Sequence, residues 1–245
     1  MNPILNISAY LFTPLQDLPA WRAACLDQAR ARELKGTILL SHEGINLFLA
    51  GLDDQVEGFM QWLRGQDGMA ELGAKKSWSQ QQPFGKLLVK IKAEIIRMNH
   101  PAIVPAQGRA PAVKPADLRR WLDQGHDDQG QALVMLDTRN AFEVAHGKFS
   151  QALDWGLHKF SEFPQAAREH LADMQGKTVV SYCTGGIRCE KAAIFLRELG
   201  LTQVYQLDGG ILQYFEDTGG AHFEGDCFVF DERVALAPDL SAKPS

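Results

Sequence analysis

The amino-acid sequence predicts an α/β protein built from two unlike parts. In the first part, strand-like and helix-like segments follow one another in the order β-α-β-β-α-β, which is typical of a ferredoxin-like α+β sandwich. In the second part, short apolar strands alternate with helices, which indicates a parallel sheet flanked by helices. A proline-rich segment separates the two parts. We therefore predict a first domain over residues 1–98, a linker over 99–115, a second domain over 116–218 and a C-terminal tail over 219–245.

The elements of the first part follow from periodicity and from turn residues. Residues 4–12 alternate and are rich in strand formers, and residues 18–34 have the apolar spacing of a helix. Two short strands flank a turn at Ser41, His42 and Glu43. Asp53 or Asp54 can cap the next helix. The predicted elements are strands over 4–12, 36–40, 44–51 and 87–92, and helices over 18–34 and 53–63.

The second part has the alternation of a parallel sheet. Its apolar strands are short, and Asp137 and Cys183 each stand at the end of one. In such sheets, sites form beyond the carboxyl ends of the strands. We therefore expect the site near these two residues. The predicted elements are strands over 132–137, 178–182 and 204–207, and helices over 116–122, 162–174 and 190–199.

Composition excludes several classes of protein. The four cysteines in 245 residues are too sparse for a disulfide framework, and no CxxC pair or HxxxH spacing suggests a metal. The sequence contains no GxGxxG or GKS/T loop that would indicate a nucleotide cofactor. No apolar run reaches the ~20 residues of a membrane span, and the N-terminus lacks the pattern of a secretory signal. We expect a cytoplasmic protein with no metal, no membrane contact and no evident cofactor.

Charge is distributed unevenly along the chain. The net charge is −5, yet residues 75–120 contain ten basic and two acidic side chains, which leaves −13 elsewhere. This stretch can bind an anionic partner such as RNA, or it can be a solvated face with a basic linker. Alternate residues of a strand share a face, so Lys90 and Lys92 point the same way. Lys90, Lys92 and Arg97 are the candidate RNA-binding residues.

One cysteine has the surroundings of a nucleophile. Cys183 ends a predicted strand, and a short loop with Gly185 and Gly186 leads to a helix. Backbone N–H groups of the loop, the helix N-terminus and Arg188 all favour thiolate over thiol. Such a thiolate is a nucleophile with its own anion site. The alternative is a small core residue. The predicted active loop is Cys183, Thr184, Gly185, Gly186, Ile187 and Arg188.

Neighbouring residues have two interpretations each. Arg188 can supply field and orient a substrate, or it can simply pair with an acid such as Glu143. Cys189 can resolve an oxidised Cys183 as a disulfide, or it can be a buried helix residue. Asp137 and Arg139 are predicted to form a structural ion pair near the site rather than an acid–base pair.

The second part resembles the rhodanese domain. The matching residues are Asp137-Thr138-Arg139, Glu143 and His146-Gly147, the loop from Cys183 to Arg188, and the turn Leu207-Asp208-Gly209-Gly210-Ile211. The loop is one residue shorter than that of protein tyrosine phosphatases, which favours a bound sulfur or another small group over phosphate.

The whole chain resembles the rhodanese-related tRNA uridine hydroxylases. Four motifs carry this resemblance over roughly residues 4 to 236: Gly36-Thr37-Ile38-Leu39-Leu40 with Glu43-Gly44-Ile45-Asn46, Asp137-Thr138-Arg139-Asn140, the run from Tyr182 to Lys191, and Cys227-Phe228-Val229-Phe230-Asp231. The resemblance implies a ferredoxin-like (acylphosphatase-like) first domain, tRNA as partner, and 5-hydroxylation of the wobble uridine with molecular oxygen as co-substrate. It also implies that Cys183 and Arg188 are catalytic.

Two other functions are open at this point. The first is a sulfurtransferase, in which Cys183 takes sulfane sulfur from a donor such as thiosulfate, carries it as a persulfide and passes it to a thiol. The second is a non-catalytic module that binds RNA or senses sulfur, for which the Cys183 thiol is dispensable.

Overall fold

The computed structural model describes residues 3–242, which form two compact units. The first unit comprises residues 3–97 together with Phe230–Val234, and the second comprises Met98–Val229 and residues 235–242. The predicted fold class is confirmed: an α+β sandwich precedes a parallel α/β domain.

The first unit is a five-stranded sheet with two helices. Its strands lie in the order β4-β1-β3-β2-β5. Alternate strand residues and the apolar faces of both helices bury a core that includes Leu5, Ile38, Leu47 and Phe59. Its elements are β1 (Ile4–Phe12), α1 (Leu18–Ala31), β2 (Lys35–Ser41), β3 (Gly44–Gly51), α2 (Asp53–Arg64), β4 (Ala74–Ser79) and β5 (Leu87–Ile91).

The fourth strand of the sandwich differs from the prediction. The sequence assigns this place to residues 87–92, but β4 fills it and pairs antiparallel with β1. β5 is a fifth strand, which runs parallel to β2 at the other edge. The sequence does not predict β4 because this edge strand has no buried apolar face. Lys76 and Trp78 are exposed, and none of the residues of β4 is fully buried.

The second unit has a four-stranded parallel sheet in the order β6-β10-β9-β7. All five residues of β9 are buried, as expected for a central parallel strand. Its elements are β6 (Ala112–Val113), α3 (Pro115–Gln124), β7 (Leu133–Asp137), α4 (Ala141–Val144), β8 (Gly147–Phe149), α5 (Phe163–Glu169), α6 (Leu171–Met174), β9 (Thr178–Tyr182), α7 (Ile187–Glu198), β10 (Val204–Leu207), α8 (Gly210–Thr218), β11 (Phe223–Gly225), β12 (Cys227–Phe228) and β13 (Ala235–Leu236).

The proline-rich segment contributes to the second sheet. The sequence assigns residues 99–115 to a linker, but they contain a short 3-10 helix at Pro105–Gln107 and the edge strand β6. Pro111 O accepts the N–H of Gln206 at 2.9 Å, and Val113 O accepts that of Asp208 at 3.0 Å. Prolines do not prevent this pairing because an edge strand needs its N–H groups on one side only.

Several helix boundaries also differ from the sequence expectation. α7 begins at Ile187 rather than 190, so Arg188 and Cys189 belong to its first turn. The predicted helix over 162–174 is two helices, α5 and α6, interrupted at His170. α1 ends at Ala31, three residues before the predicted end.

The tail contains β11, which pairs with β8, and a small hairpin of β12 and β13. Residues 243–245 of the tail lie outside the described residues. Over residues 3–242, every helix is too short or too polar to cross a bilayer.

Candidate active site

Cys183 stands at the carboxyl end of β9, where the chain turns sharply into α7. Its Sγ accepts a hydrogen bond from the backbone N–H of Gly186 at 3.1 Å. Gly186 has φ +100, a conformation that favours glycine, and it precedes the first residue of α7. The loop therefore closes around the sulfur, and only Gly185 of its six residues is not buried.

The surroundings of the sulfur favour its ionised form. Burial by itself raises the pKa of the Cys183 thiol. A hydrogen bond from Cys189, the charge of Arg188 and the backbone N–H groups of Arg188 and Gly186 together outweigh burial and lower this pKa to about 6. The thiol is thus largely thiolate at neutral pH.

Arg188 is buried and held by a carboxylate. Its Nη1 and Nη2 donate to the two carboxylate oxygens of Glu143 at 2.5 and 2.7 Å. Burial raises the pKa of Glu143, but the charge and hydrogen bonds of Arg188 hold it below the ordinary value. Arg188 Nε has no hydrogen-bond partner within residues 3–242, and the side chain interacts with Cys183. Both interpretations of Arg188 are therefore compatible, because the arginine pairs with Glu143 and its charge also lowers the pKa of Cys183.

The N-terminus of α8 fixes the outer side of the loop. The N–H of Ile211 donates to Cys183 O at 2.9 Å, and that of Leu212 donates to Thr184 O at 3.1 Å. Gly210 makes this approach feasible, since a Cβ at this position would lie 2.5 Å from Cys183 O. With these carbonyl groups held from outside, the N–H groups of the loop can face the sulfur.

Cys189 is a second buried thiol in contact with the first. Its S–H group donates to Cys183, and burial together with this bond raises its pKa well above the ordinary value. Thr138 Oγ1 lies 3.7 Å from Cys189 Sγ and donates to Tyr182 O at 2.9 Å. Cys189 is therefore a neutral donor to the thiolate.

Asp137 and Arg139 form a fully buried ion pair next to the loop. Arg139 Nη2 lies 2.6 Å from Asp137 Oδ2 and donates to Gly147 O at 2.6 Å. The guanidinium also stands 5.7 Å from the centre of the Tyr182 ring. These contacts join β7, β8 and β9, so the pair holds the framework around the loop.

The two remaining cysteines have different surroundings. Burial raises the pKa of Cys25 to about 12 and that of Cys227 to about 12. Both are thiols at neutral pH. Of these three cysteines, Cys183 therefore has the lowered pKa of a nucleophile, whereas Cys25 and Cys227 have the raised pKa of unreactive thiols.

The predicted RNA-binding residues belong to the first unit. Lys90 lies on β5, Lys92 directly follows it, and both are exposed, as is Arg97. Other basic residues of the 75–120 stretch are engaged with acids: Lys76 with Glu57, Arg109 with Glu190 and Asp208, and Arg120 with Asp117 and Asp128.

Sequence analysis missed several residues that shape the site. Gly210 belongs to the turn Leu207-Asp208-Gly209-Gly210-Ile211, but its contact with Cys183 becomes visible only in the folded structure. The signal in the sequence is the pair of consecutive glycines, Gly209 and Gly210, which both adopt positive φ. Thr138 and Phe228 were not singled out, although Phe228 O lies 3.5 Å from the Thr184 hydroxyl. Over residues 3–242, no group of three or more potential metal ligands comes together.

Fold and site together define a rhodanese-like protein whose cysteine loop is joined to a second, acylphosphatase-like domain. Residues 4–95 match the family model of the UPF0176 acylphosphatase like domain, and residues 115–217 match that of the rhodanese-like domain. Among solved structures, the solution structure of the rhodanese-like domain of an Anabaena protein is 20% identical with a TM-score of 0.38, and covers 47% of this chain and 80% of that one.

Two relatives are similar over almost the entire chain. The tRNA uridine(34) hydroxylase of Variovorax paradoxus is 60% identical over 243 residues, 99% of this chain and 92% of the relative. That of Bordetella pertussis is 62% identical over 241 residues, 98% of this chain and 99% of the relative. The chain belongs to the family of the tRNA uridine(34) hydroxylases.

Proposed function

We propose that this protein is a tRNA-modifying enzyme that hydroxylates carbon 5 of the uridine at position 34, the wobble position. The observation that carries the proposal is the Cys183 loop, in which Sγ accepts the N–H of Gly186 at 3.1 Å, in a chain that is 60% identical to a relative of that name. We place the reaction in the cytoplasm, where tRNA is found and cysteines stay reduced.

The chemistry starts from the nature of uracil. Carbon 5 becomes a good nucleophile only after something adds to carbon 6. In the proposed first step, the Cys183 thiolate forms a bond to carbon 6, and the displaced π electrons move to oxygen 4 as an enolate. The positive charge of Arg188, which acts on Cys183 in the folded protein, is proposed to stabilise this oxyanion as well.

The second half of the reaction introduces oxygen. Carbon 5 forms a bond to one oxygen atom, then loses its proton, and the bond from carbon 6 to sulfur breaks to restore the thiolate. We propose molecular oxygen as co-substrate, with a thiol reductant supplying two electrons and two protons. One oxygen atom then enters the base, and the other leaves as water.

Cys189 has a supporting role in this scheme. Its S–H group lowers the pKa of Cys183 by donating to the thiolate. Burial and this bond raise the pKa of the Cys189 thiol well above its ordinary value, which makes it a poor nucleophile toward an oxidised Cys183. We therefore assign Cys189 as a positioning residue rather than as a resolving cysteine.

The first unit is proposed to bind the RNA. Lys90 and Lys92 are exposed neighbours on one edge strand and its extension, and Arg97 follows a few residues on. Such side chains contact phosphates without reading sequence. Arg120 already pairs with Asp117 and Asp128, so it contributes less to the binding of an RNA phosphate.

The decisive experiment is nucleoside mass spectrometry of tRNA from cells that lack the gene. We expect 5-hydroxyuridine at position 34 to disappear, to return with the wild-type gene, and to stay absent with Cys183→Ser. Cys25→Ser is the matched control, because Cys25 is buried with a raised pKa. Unchanged 5-hydroxyuridine in the deletion strain would refute the proposal.

The covalent step has its own test. A tRNA that contains 5-fluorouridine at position 34 cannot lose a proton from carbon 5, so the adduct with Cys183 should persist and be visible by mass spectrometry. A stable gain of one sulfur atom on Cys183 after thiosulfate treatment, with turnover to a thiol and no RNA adduct, would instead identify a sulfurtransferase.

A further inference from the structure

An arginine from outside the basic 75–120 stretch lies against the predicted RNA-binding strand. Arg22 is an exposed residue of α1 in the first unit. Its Nε donates a hydrogen bond to Val89 O of β5 at 3.1 Å, across 67 positions of the chain. The packing of the helix on the sheet therefore brings a further cation next to Lys90, the residue that follows Val89.

The acceptor of this hydrogen bond faces the unpaired edge of the sheet. β5 is the last strand in the order of its sheet, so one of its edges has no strand partner within residues 3–242. The N–H of Lys92, three residues after Val89, donates to Leu40 O of β2 at 2.8 Å. Alternate residues of a strand direct their backbone groups to opposite sides, so Val89 O points away from β2. The Arg22 guanidinium is therefore held at the unpaired edge.

One hydrogen bond leaves most of the Arg22 guanidinium available. A guanidinium has five N–H donors in a rigid fork, and the bond to Val89 O uses only the one on Nε. Among the described residues, Arg22 has no other hydrogen-bond or ion-pair partner. The planar end formed by Nη1 and Nη2 matches two oxygens of a phosphate. The bond through Nε therefore fixes the side chain, while both Nη groups keep their donors for a ligand.

The charges around this edge favour an anionic partner. Lys90 and Lys92 are both exposed and lie on the same face of the strand. Residues 86–92 contain three lysines and no acid. The single acid of α1, Asp27, is five positions from Arg22, a spacing at which the side chains of a helix do not face each other. Arg22, Lys90 and Lys92, which we call the basic edge, thus combine three positive charges.

Two roles are consistent with this geometry. Arg22 can cover a carbonyl group of an edge strand and so oppose pairing with another chain, or it can bind a phosphate. The first role needs only the Nε–H donor, whereas the second needs the positive charge and both Nη groups. The second role also accounts for the two neighbouring lysines, because a nucleic-acid backbone presents one phosphate after another to a row of cations.

We propose that Arg22 binds a phosphate of the tRNA backbone and completes the basic edge as an RNA-binding surface of the first unit. Val89 O orients the guanidinium, and Nη1 and Nη2 donate to two oxygens of one phosphate. Lys90 and Lys92 neutralise neighbouring phosphates. This inference rests on the proposed function, since it takes tRNA as the ligand. Contacts of this kind add affinity and fix the orientation of the RNA without reading its sequence.

The test is filter binding over a salt series with an unmodified tRNA transcript that has uridine at position 34. The proteins are the wild type, Arg22→Gln, Arg22→Lys and Arg30→Gln. Arg22→Gln removes the charge but keeps a polar side chain, and Arg22→Lys keeps the charge but removes the fork. Arg30 is the matched control, because it is an exposed arginine of the same helix, eight residues or about 12 Å further along. Its side chain has no partner in the part of the chain that the structure describes.

We expect Arg22→Gln to reduce the slope of log K against log salt by about 0.7–0.9, the value for one phosphate contact. Arg22→Lys should keep the wild-type slope, because the slope counts neutralised phosphates. It should still weaken binding by about 2- to 10-fold, the effect of one lost hydrogen bond. Arg30→Gln removes the same charge and should change neither quantity, which separates a local contact from an effect of net charge.

Two outcomes would overturn the inference. One is a wild-type slope in Arg22→Gln, as expected if Arg22 only covers the strand edge, and the other is an equal change of slope in Arg22→Gln and Arg30→Gln. If Arg22→Gln does not fold, wild-type affinity of Arg22→Lys at every salt concentration would overturn it instead. When the wild type binds the tRNA and hydroxylates uridine 34, these outcomes leave the proposed function intact. A wild type that binds no tRNA at any salt concentration would refute both.

Discussion

Glu143 accepts hydrogen bonds from both Nη atoms of Arg188, and the charge of the same guanidinium lowers the pKa of Cys183. Both side chains are buried. In a buried ion pair, each charge offsets the desolvation cost of the other. Removing one partner leaves the other charge uncompensated in a low-dielectric site. The pair therefore links the stability of the domain to the orientation of the group that activates the thiolate.

Glu143→Gln should destabilise the protein by about 3–5 kcal/mol, the usual cost of breaking a buried pair. Urea denaturation at neutral pH measures this change. Because the pKa of Glu143 is lowered in the folded state, its stabilising effect is full above the ordinary value of 4.5 and declines below it. The difference between wild type and variant should therefore shrink as the pH falls below 4.5. Asp128→Asn, which breaks an exposed pair with Arg120, should have little effect, and a similar loss in both variants would refute the assignment.

The thiolate of Cys183 should titrate with a midpoint near pH 6. Thiolate absorbance in the ultraviolet reports this midpoint, and the rate of alkylation gives a second reading. Cys189→Ala removes the S–H donor and should raise the midpoint, whereas Cys25→Ala should not. The lowered pKa of Cys183 also means that wild type gains stability over Cys183→Ser as pH rises from 6 toward 9. A midpoint that persists in Cys183→Ser would assign the titration to another group.

Gly210→Ala should disable the loop. Its Cβ would lie 2.5 Å from Cys183 O, 2.7 Å from Thr184 O and 2.8 Å from Gly186 N, all backbone atoms that cannot move cheaply. Hydroxylation should fall to background, and the thiolate midpoint should rise. Gly219→Ala is the matched control, because Gly219 has the same φ of +67 but nothing within 4 Å of the added atom. Equal activity in the two variants would contradict the proposed role of Gly210.

Lys90→Glu with Lys92→Glu should weaken tRNA binding and flatten its dependence on salt. Each lost phosphate contact should change the slope of log K against log salt by about 0.7–0.9. Filter binding over a salt series measures both quantities. Arg120→Glu with Lys177→Glu reverses as many charges on side chains that are already engaged, and should change the slope less. An unchanged slope in the Lys90 and Lys92 variant would remove these residues from the interface.

The local part of the site could be predicted from the sequence, and the non-local part could not. The strand, loop and helix around Cys183 are adjacent in the chain, so residue type and periodicity were enough to predict the loop. The two-part fold class followed from the order of elements, and the resemblance to the tRNA uridine hydroxylases, carried by four short motifs, is confirmed.

What the sequence could not predict depends on distant segments. Gly210 follows Cys183 by 27 positions, and only strand pairing brings the start of α8 onto the loop. Phe228 is farther still, and its contact with Phe142 arises from the β12–β13 hairpin. β4 was missed for another reason, since its polar side chains lack the alternation by which strands are recognised.

The pairing of β6 with β10 determines where the cysteine-bearing domain can be cut. A fragment that starts at residue 116 would lack β6, uncover the edge of β10 and leave the N–H groups of Gln206 and Asp208 without their acceptors. It would also lose Val113 from the core. Exposed strand edges promote self-association, so such a truncation should aggregate. Expression of this domain by itself should begin at Met98, the first residue of its compact unit.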